Sequence, residues 1–146
     1  MDIASGPWDK SQIESFLDQT VIPIRLASAG RTAPLVQSLW FIYVEDALWC
    51  CTQREAVLTR RLTANPRCGF EVSGDLPPYR GTRGTARTQI LPDRAADILP
   101  RLIDRYLGDT PSQLADWLMS RLDHEVAIRL HDLRVTSFDF TPRMGD

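Results

Sequence analysis

Lysine is almost missing from this sequence: Lys10 is the only one among 17 lysine and arginine residues. Arginine presents a planar fork that fits phosphate and carboxylate groups, which a lysine cannot match, although genomic base composition produces the same bias. Histidine is also scarce, with His124 and His131 alone, and the three cysteines Cys50, Cys51 and Cys68 form no CxxC pair. Neither a zinc site nor a disulfide framework is therefore expected. Cys50 and Cys51 sit inside an apolar run and read as small buried thiols, a redox role being the alternative. No apolar run reaches the roughly 18–20 residues that cross a bilayer, and Met1 to Lys10 lack a basic stretch followed by an apolar one. A cytoplasmic protein with no membrane partner is expected. The sequence also lacks a Gly-rich dinucleotide fingerprint and a phosphate-binding P-loop, which excludes those nucleotide folds. No Ser-His-Asp arrangement and no carboxylate pair stands out, so both histidines read as structural or exposed.

What is present describes one globular domain over residues 1–146. Hydrophobic residues make up 43% and charged residues 25% of the chain, enough for a core and too balanced for disorder. The net charge of −2 argues against broad nucleic-acid binding.

Ser11-Gln12-Ile13-Glu14 has the form of a capping box, and Ile13, Phe16 and Leu17 then recur at helical spacing, which predicts a helix over 10–19. Val21 to Ala27 is β-rich, and Ser28 to Thr32 is small and polar, as in a hairpin connection. Leu35 to Val44 is nearly continuous in apolar and aromatic residues and reads as one central strand covered on both faces. Ala47 to Cys51 returns as its partner. Thr52-Gln53-Arg54-Glu55 forms a second capping box, followed by Leu58 and Leu62 one turn apart and by the stop Asn65-Pro66. Cys68, Phe70 and Val72 alternate with polar or small residues, the pattern of a strand with one wet face. Tyr79 to Ile90 is a longer strand in which Gly81 and Gly84 signal a bulge or a close approach. Ile98, Leu99, Leu102, Ile103 and Tyr106 form a helical stripe ending at Gly108, with Pro100 predicting a kink or a late start. Thr110-Pro111-Ser112-Gln113 places a proline at the first position of another helix. Two further strands follow, Glu125 to His131 and Arg134 to Phe140. About seven antiparallel strands and four outer helices result, a mainly β (α+β) barrel or sheet.

Three features could carry chemistry. The junction around Thr52, Gln53 and Arg54 leads a strand into a helix N-terminus, where free N–H groups, a hydroxyl and a guanidinium suit a phosphate; equally, Thr52 caps its own helix. In Tyr79-Arg80-Gly81-Thr82-Arg83-Gly84, Tyr79, Gly81 and Arg83 share one face, and the glycines either admit a flat ring or mark a bulge. Trp40, within the aromatic run from Leu39 to Tyr43, either borders a planar cofactor or belongs to the core.

Taken in order, these features resemble the FMN-binding split-barrel family of pyridoxamine 5'-phosphate oxidase-like proteins over residues 22–90. The matching residues are Arg25 in Ile24-Arg25-Leu26, the Pro34 to Phe41 strand with Ser38 and Trp40, Thr52 at a strand end, and Leu62-Thr63-Ala64-Asn65-Pro66. Cys68 to Val72 and Arg83-Gly84-Thr85-Ala86 complete the pattern. The resemblance implies an antiparallel split β-barrel with flanking helices that binds FMN at the interface of a homodimer, with Arg25, Ser38, Thr52 and Gln53 most directly involved. Where relatives carry a phosphate-binding lysine this chain has Leu58, preceded by Val57, so Arg54 or Arg61 would have to substitute from the adjacent turn. Deazaflavin, haem or no ligand are the other states such barrels show. The activity so implied is FMN-dependent oxidoreduction of an unknown small molecule; the alternative is a non-catalytic binding module or scaffold dimer. Pyridoxamine phosphate oxidation itself lacks a segment to hold that substrate's phosphate.

Overall fold

The structure is a computed structural model and describes residues 1–144. In chain order its strands are β1 (Asp2–Ser5), β2 (Ile24–Ser28), β3 (Leu35–Leu39), β4 (Ile42–Val44), β5 (Ala47–Gln53), β6 (Arg67–Ser73), β7 (Arg80–Leu91) and β8 (Glu125–Asp139). Its helices are α1 (Lys10–Gln19), α2 (Val57–Ala64), α3 (Ala95–Leu107), α4 (Gln113–Ser120) and α5 (Thr141–Met144). The strands form one sheet in the order β3-β2-β6-β7-β8-β5-β4, antiparallel throughout, with β1 added in parallel beside β8. The expected mainly antiparallel split barrel is what forms.

The split has a simple origin in the chain. β3 and β4 lie at the two ends of the strand order, yet only Trp40 and Phe41 separate them in sequence. The sheet therefore curls until its edges approach without a ladder between them. Tyr106 of α3 occupies that seam. The Phe41 N–H donates to its hydroxyl oxygen at 3.1 Å, and the hydroxyl donates to the Ile22 carbonyl at 2.8 Å. Backbone groups that a closed barrel would pair in a ladder are satisfied by this one side chain. The single central strand expected over 35–44 is thus two edge strands, and Val36 is 63% exposed. The apolar run is continuous because two half-buried strands abut at a buried corner.

Alternation fills the barrel interior with Leu26, Leu48, Phe70, Val72, Ile128 and Leu130, and α1 and α2 close on it with Ile13, Leu17, Leu58 and Leu62. A second cluster sits outside the sheet, where Trp49 and Ala127 pack beneath Ile98 and Leu102 of α3. Arg105 of the same helix donates to the carbonyls of Leu17, Asp18 and Thr20, satisfying the open C-terminal end of α1. The outer face of β5 and of the start of β8 is thereby covered, while Arg83 and Thr85 on the outer face of β7 stay exposed.

Several local expectations shift. α1 is capped by Asp9 and Gln12, each side chain accepting from the other's backbone N–H, so the capping box lies two residues before Ser11-Glu14. Thr52 belongs to β5, opposite Val126, and caps nothing; α2 begins after Ala56 with no side-chain cap. α3 is continuous through Pro100 from Ala95 and ends at Gly108, whose φ of 69° explains the glycine. Ser112 caps α4, leaving Pro111 outside it. The last two expected strands are one, β8, with a register shift where Asp132 adopts φ 50°. Among the described residues no helix is long and apolar enough to cross a membrane.

Candidate functional site

Strand register sets the side chains of the open face in two rows. Ser38, Arg25, Glu71, Arg83 and Thr136 stand opposite one another across β3, β2, β6, β7 and β8, and beside them run Val36, Ala27, Gly69, Thr85 and Arg134. The first row is polar and charged. The second has a floor of small side chains, and Arg25, Glu71, Arg83 and Thr136 of the first row line with Val36, Ala27, Gly69 and Thr85 of the second a groove of about 730 Å³. Arg25 is partly buried, and its guanidinium donates to the Pro23 carbonyl at 3.1 Å. That of Arg83 lies 5.7 Å from the Phe138 ring centroid.

Glycines separate packing from vacancy here. A Cβ on Gly84 would strike the Arg134 carbonyl, and one on Gly81 would stand 2.5 Å from the Val72 carbonyl, so both are fixed by the approach of neighbouring strands. Of the two expectations for these glycines, close approach is the one that holds, and the register shift between β7 and β8 falls between Thr85 and Arg87. At Gly69 a Cβ would meet only the Gly84 carbonyl at 3.7 Å and the Ala27 methyl at 3.8 Å, ordinary contacts. The fold does not require glycine at that position, and its missing side chain leaves the middle of the floor flat.

Through Ala27, Gly69 and Thr85 the groove continues into a larger cleft of about 860 Å³ that reaches Asn65, Arg67, Arg87 and Arg134. That cleft shares Ala29 and Asn65 with a cavity of about 540 Å³ lined by Arg31, Val57, Arg60 and Arg61 beside the start of α2. Arg61 is committed in part, donating to the Ala33 carbonyl at 3.1 Å beneath Gly30. Leu58, at the position where the resemblance places a lysine, is buried in the core, and Ala56 and Val57 beside it offer no side-chain donor.

Of the residues singled out from sequence, Arg25, Ser38 and Arg83 share one row, and Arg61 lies in the adjoining cavity. Tyr79 is exposed just before β7, and its carbonyl accepts from Phe140 N–H. Trp40 stacks on Tyr106 at 5.0 Å, on the seam under α3. Thr52 and Gln53 pair with Val126 and Glu125, at the opposite end of β8 from Thr136. The Gln53 side-chain carbonyl accepts from Arg121 at 2.6 Å. Arg54 lines a small cleft with Asp93, Asp123 and Glu125, an acidic setting. Cys50 and Cys68 are buried and Cys51 is half-buried; lack of solvent pushes the Cys51 and Cys68 thiols up to about 12 and raises that of Cys50 well above the ordinary thiol range, so none is a nucleophile at neutral pH.

Glu125 offers a pH test of this corner. Burial raises its carboxyl above the ordinary range, against a smaller opposing pull from Arg121. A carboxyl raised on folding stabilises the fold below its unfolded pKa, about 4.3, and that contribution is lost as pH climbs through the folded value. Glu125→Gln is expected to raise the melting temperature at pH 7 and to leave it unchanged near pH 4. Equal shifts at both pH values would show that the carboxylate carries no folding penalty.

No family model matches the sequence, and no curated protein does. Solved structures do match. A conserved hypothetical protein of Mycobacterium tuberculosis superposes with a TM-score of 0.77 at 19% identity, over 95% of this chain and 89% of that one. An F420 reductase matches at 0.64 and 25% identity, over 84% and 94%. A candidate pyridoxamine 5'-phosphate oxidase of Listeria innocua matches at 0.66 and 15%, over 87% and 95%. The chain has a split-barrel fold similar to that of these proteins. Further split barrels that match include a FAD-binding protein of Mesorhizobium loti and the haem storage protein of Vibrio cholerae.

Sequence reasoning about this split barrel passed over Ala27, Gly69, Thr85, Arg60, Arg67 and Arg87. Alternation along β6 was legible and already set Gly69, Glu71 and Ser73 on the face opposite Cys68, Phe70 and Val72. What it could not supply was the order β2-β6-β7, which across β2 and β6 pairs residues as far apart in sequence as Arg25 and Glu71.

Proposed function

We propose that this split barrel binds a phosphate-bearing flavin of the FMN type on the open face of β2, β6 and β7, and that a homodimer of it carries out two-electron redox chemistry on a small molecule. The observation that carries the reading is the flat floor at Gly69, walled by Arg25 and Arg83 and continuous with the arginine-lined cavity beside α2. Similar folds in an F420 reductase and a FAD-binding protein support a ligand of the flavin class.

The donor set fits in an altered form. With Ala56, Val57 and Leu58 giving no side-chain donor at the start of α2, the anionic tail is held by Arg25 in the polar row of the groove. Guanidinium forks suit a phosphate dianion. Ala27, Gly69 and Thr85 let the flat ring lie close to the strands, and Ser38 and Glu71 offer hydrogen bonds at its polar edge. When bound, the flavin supplies hydride acceptance and donation; the protein anchors, orients and shields it. Among the described residues lining the groove there is no histidine, cysteine or tyrosine, so a haem would find no axial ligand of those types there. The same lack of a proton donor favours, as a second reading, a flavin or deazaflavin carrier without catalysis.

Titration with FMN, followed by quenching of flavin fluorescence, tests the site. Arg25→Ala removes one charge-assisted contact worth about 1.5–3 kcal/mol, so affinity is expected to fall about ten- to a hundredfold with the melting temperature nearly unchanged. Unaltered FMN binding in this variant would place the flavin elsewhere.

A further inference from the structure

Arg67 and Arg87 face each other directly across β6 and β7, both on the outer side and both exposed. Like charges placed opposite on adjacent strands destabilise a sheet, and among the described residues neither guanidinium has an ion-pair partner. The two acids of the same cleft are engaged elsewhere: Asp2 pairs with Arg134 at 3.1 Å, and Asp132 lies 3.3 Å from the His131 ring. The backbone beneath is held firmly. Arg67 N–H donates to the Asn65 side chain at 3.1 Å, and both the N–H and the hydroxyl of Thr88 donate to the Pro66 carbonyl, at 2.7 and 3.0 Å. Two uncompensated forks thus stand on a rigid ledge at the mouth of a cleft of about 860 Å³, in a protein whose net charge is −2.

We propose that Arg67 and Arg87 form an anion subsite, separate from the one at Arg25, which receives a phosphate or carboxylate. The inference rests on the flavin reading only in calling this subsite the second one. Its position, one step beyond the Ala27-Gly69-Thr85 floor, places the anion at the end of the groove away from the Arg25-Arg83 row. Such a group belongs either to an anionic substrate or to a second phosphate on the cofactor.

Calorimetric titration with inorganic phosphate, at fixed ionic strength, tests it on the whole protein. The parent is expected to show saturable binding, and R67Q/R87Q to lose at least about tenfold in affinity while Arg25→Ala retains it. The single variants R67Q and R87Q are expected to melt no lower than the parent, because each relieves the like-charge contact. Titrations with FMN and with FAD then separate the sources: a loss for FAD alone assigns the anion to the cofactor, whereas unchanged FMN and FAD binding with phosphate binding lost assigns it to a substrate. Phosphate binding that is absent in the parent, or equal in parent and R67Q/R87Q, overturns the subsite. Should the parent fail to bind FMN yet lose phosphate binding in R67Q/R87Q, the flavin reading falls and the subsite stands.

Discussion

Gly69→Leu is expected to abolish FMN binding, with affinity falling about a hundredfold or more, while the protein folds at least as stably as the parent. The two halves of that expectation come from one measurement of space. A Cβ at this position meets its nearest neighbours at 3.7 and 3.8 Å, so the strand backbone accepts one in place, and the rest of a leucine side chain extends into the open groove. Glycine within a strand costs about 0.5–1 kcal/mol relative to a residue with a side chain, and leucine recovers that. The same side chain stands up from the centre of the floor and takes the volume a flat ring needs. Fluorescence titration gives the affinity, and a thermal melt gives the fold. Retained FMN affinity in a stable Gly69→Leu protein would remove the flavin from this face.

Trp49→Ala is expected to cost about 3–5 kcal/mol, a large part of the roughly 5–15 kcal/mol that holds a domain of this size together. Trp49 is fully buried between β5 and α3, where it packs on Ile98, Leu102 and Ala127. Its indole N–H donates to the Val44 carbonyl at 3.2 Å, and the Arg94 guanidinium lies 4.4 Å above its ring. Truncation opens a cavity, leaves that carbonyl unpaired and removes the contact that keeps α3 against the sheet. A fall in melting temperature of about 10–20 °C follows. Trp49→Phe, which keeps most of the volume and loses the N–H, is expected to lose far less. A urea melt of Trp49→Ala within 1 kcal/mol of the parent would show that α3 does not depend on this contact.

The two variants show where reading along the chain succeeds and where it stops. Alternation identified β6 and β7 and the inward set Cys68, Phe70 and Val72, because burial of one face imposes a period of two on the sequence itself. The α3 stripe and its glycine end were legible for the same reason. Thr52 misled: Thr-x-x-Glu is a capping pattern only if a helix follows at once, and β5 continues to Gln53 because Leu48, Cys50 and Val126 hold it in the sheet. Leu35 to Val44 misled because two half-buried edge strands in succession have the same composition as one strand buried on both faces.

By itself the sequence determined the local elements and which face of each is apolar, since those depend on neighbours two, three or four residues away. The tertiary structure alone decided which outward faces adjoin. Arg25, Glu71 and Arg83 become neighbours only when β6 passes between β2 and β7, and Arg67 comes to face Arg87 only in that register. Strand order follows from how the apolar faces of all eight strands are buried together, a condition on the whole chain that no local window contains.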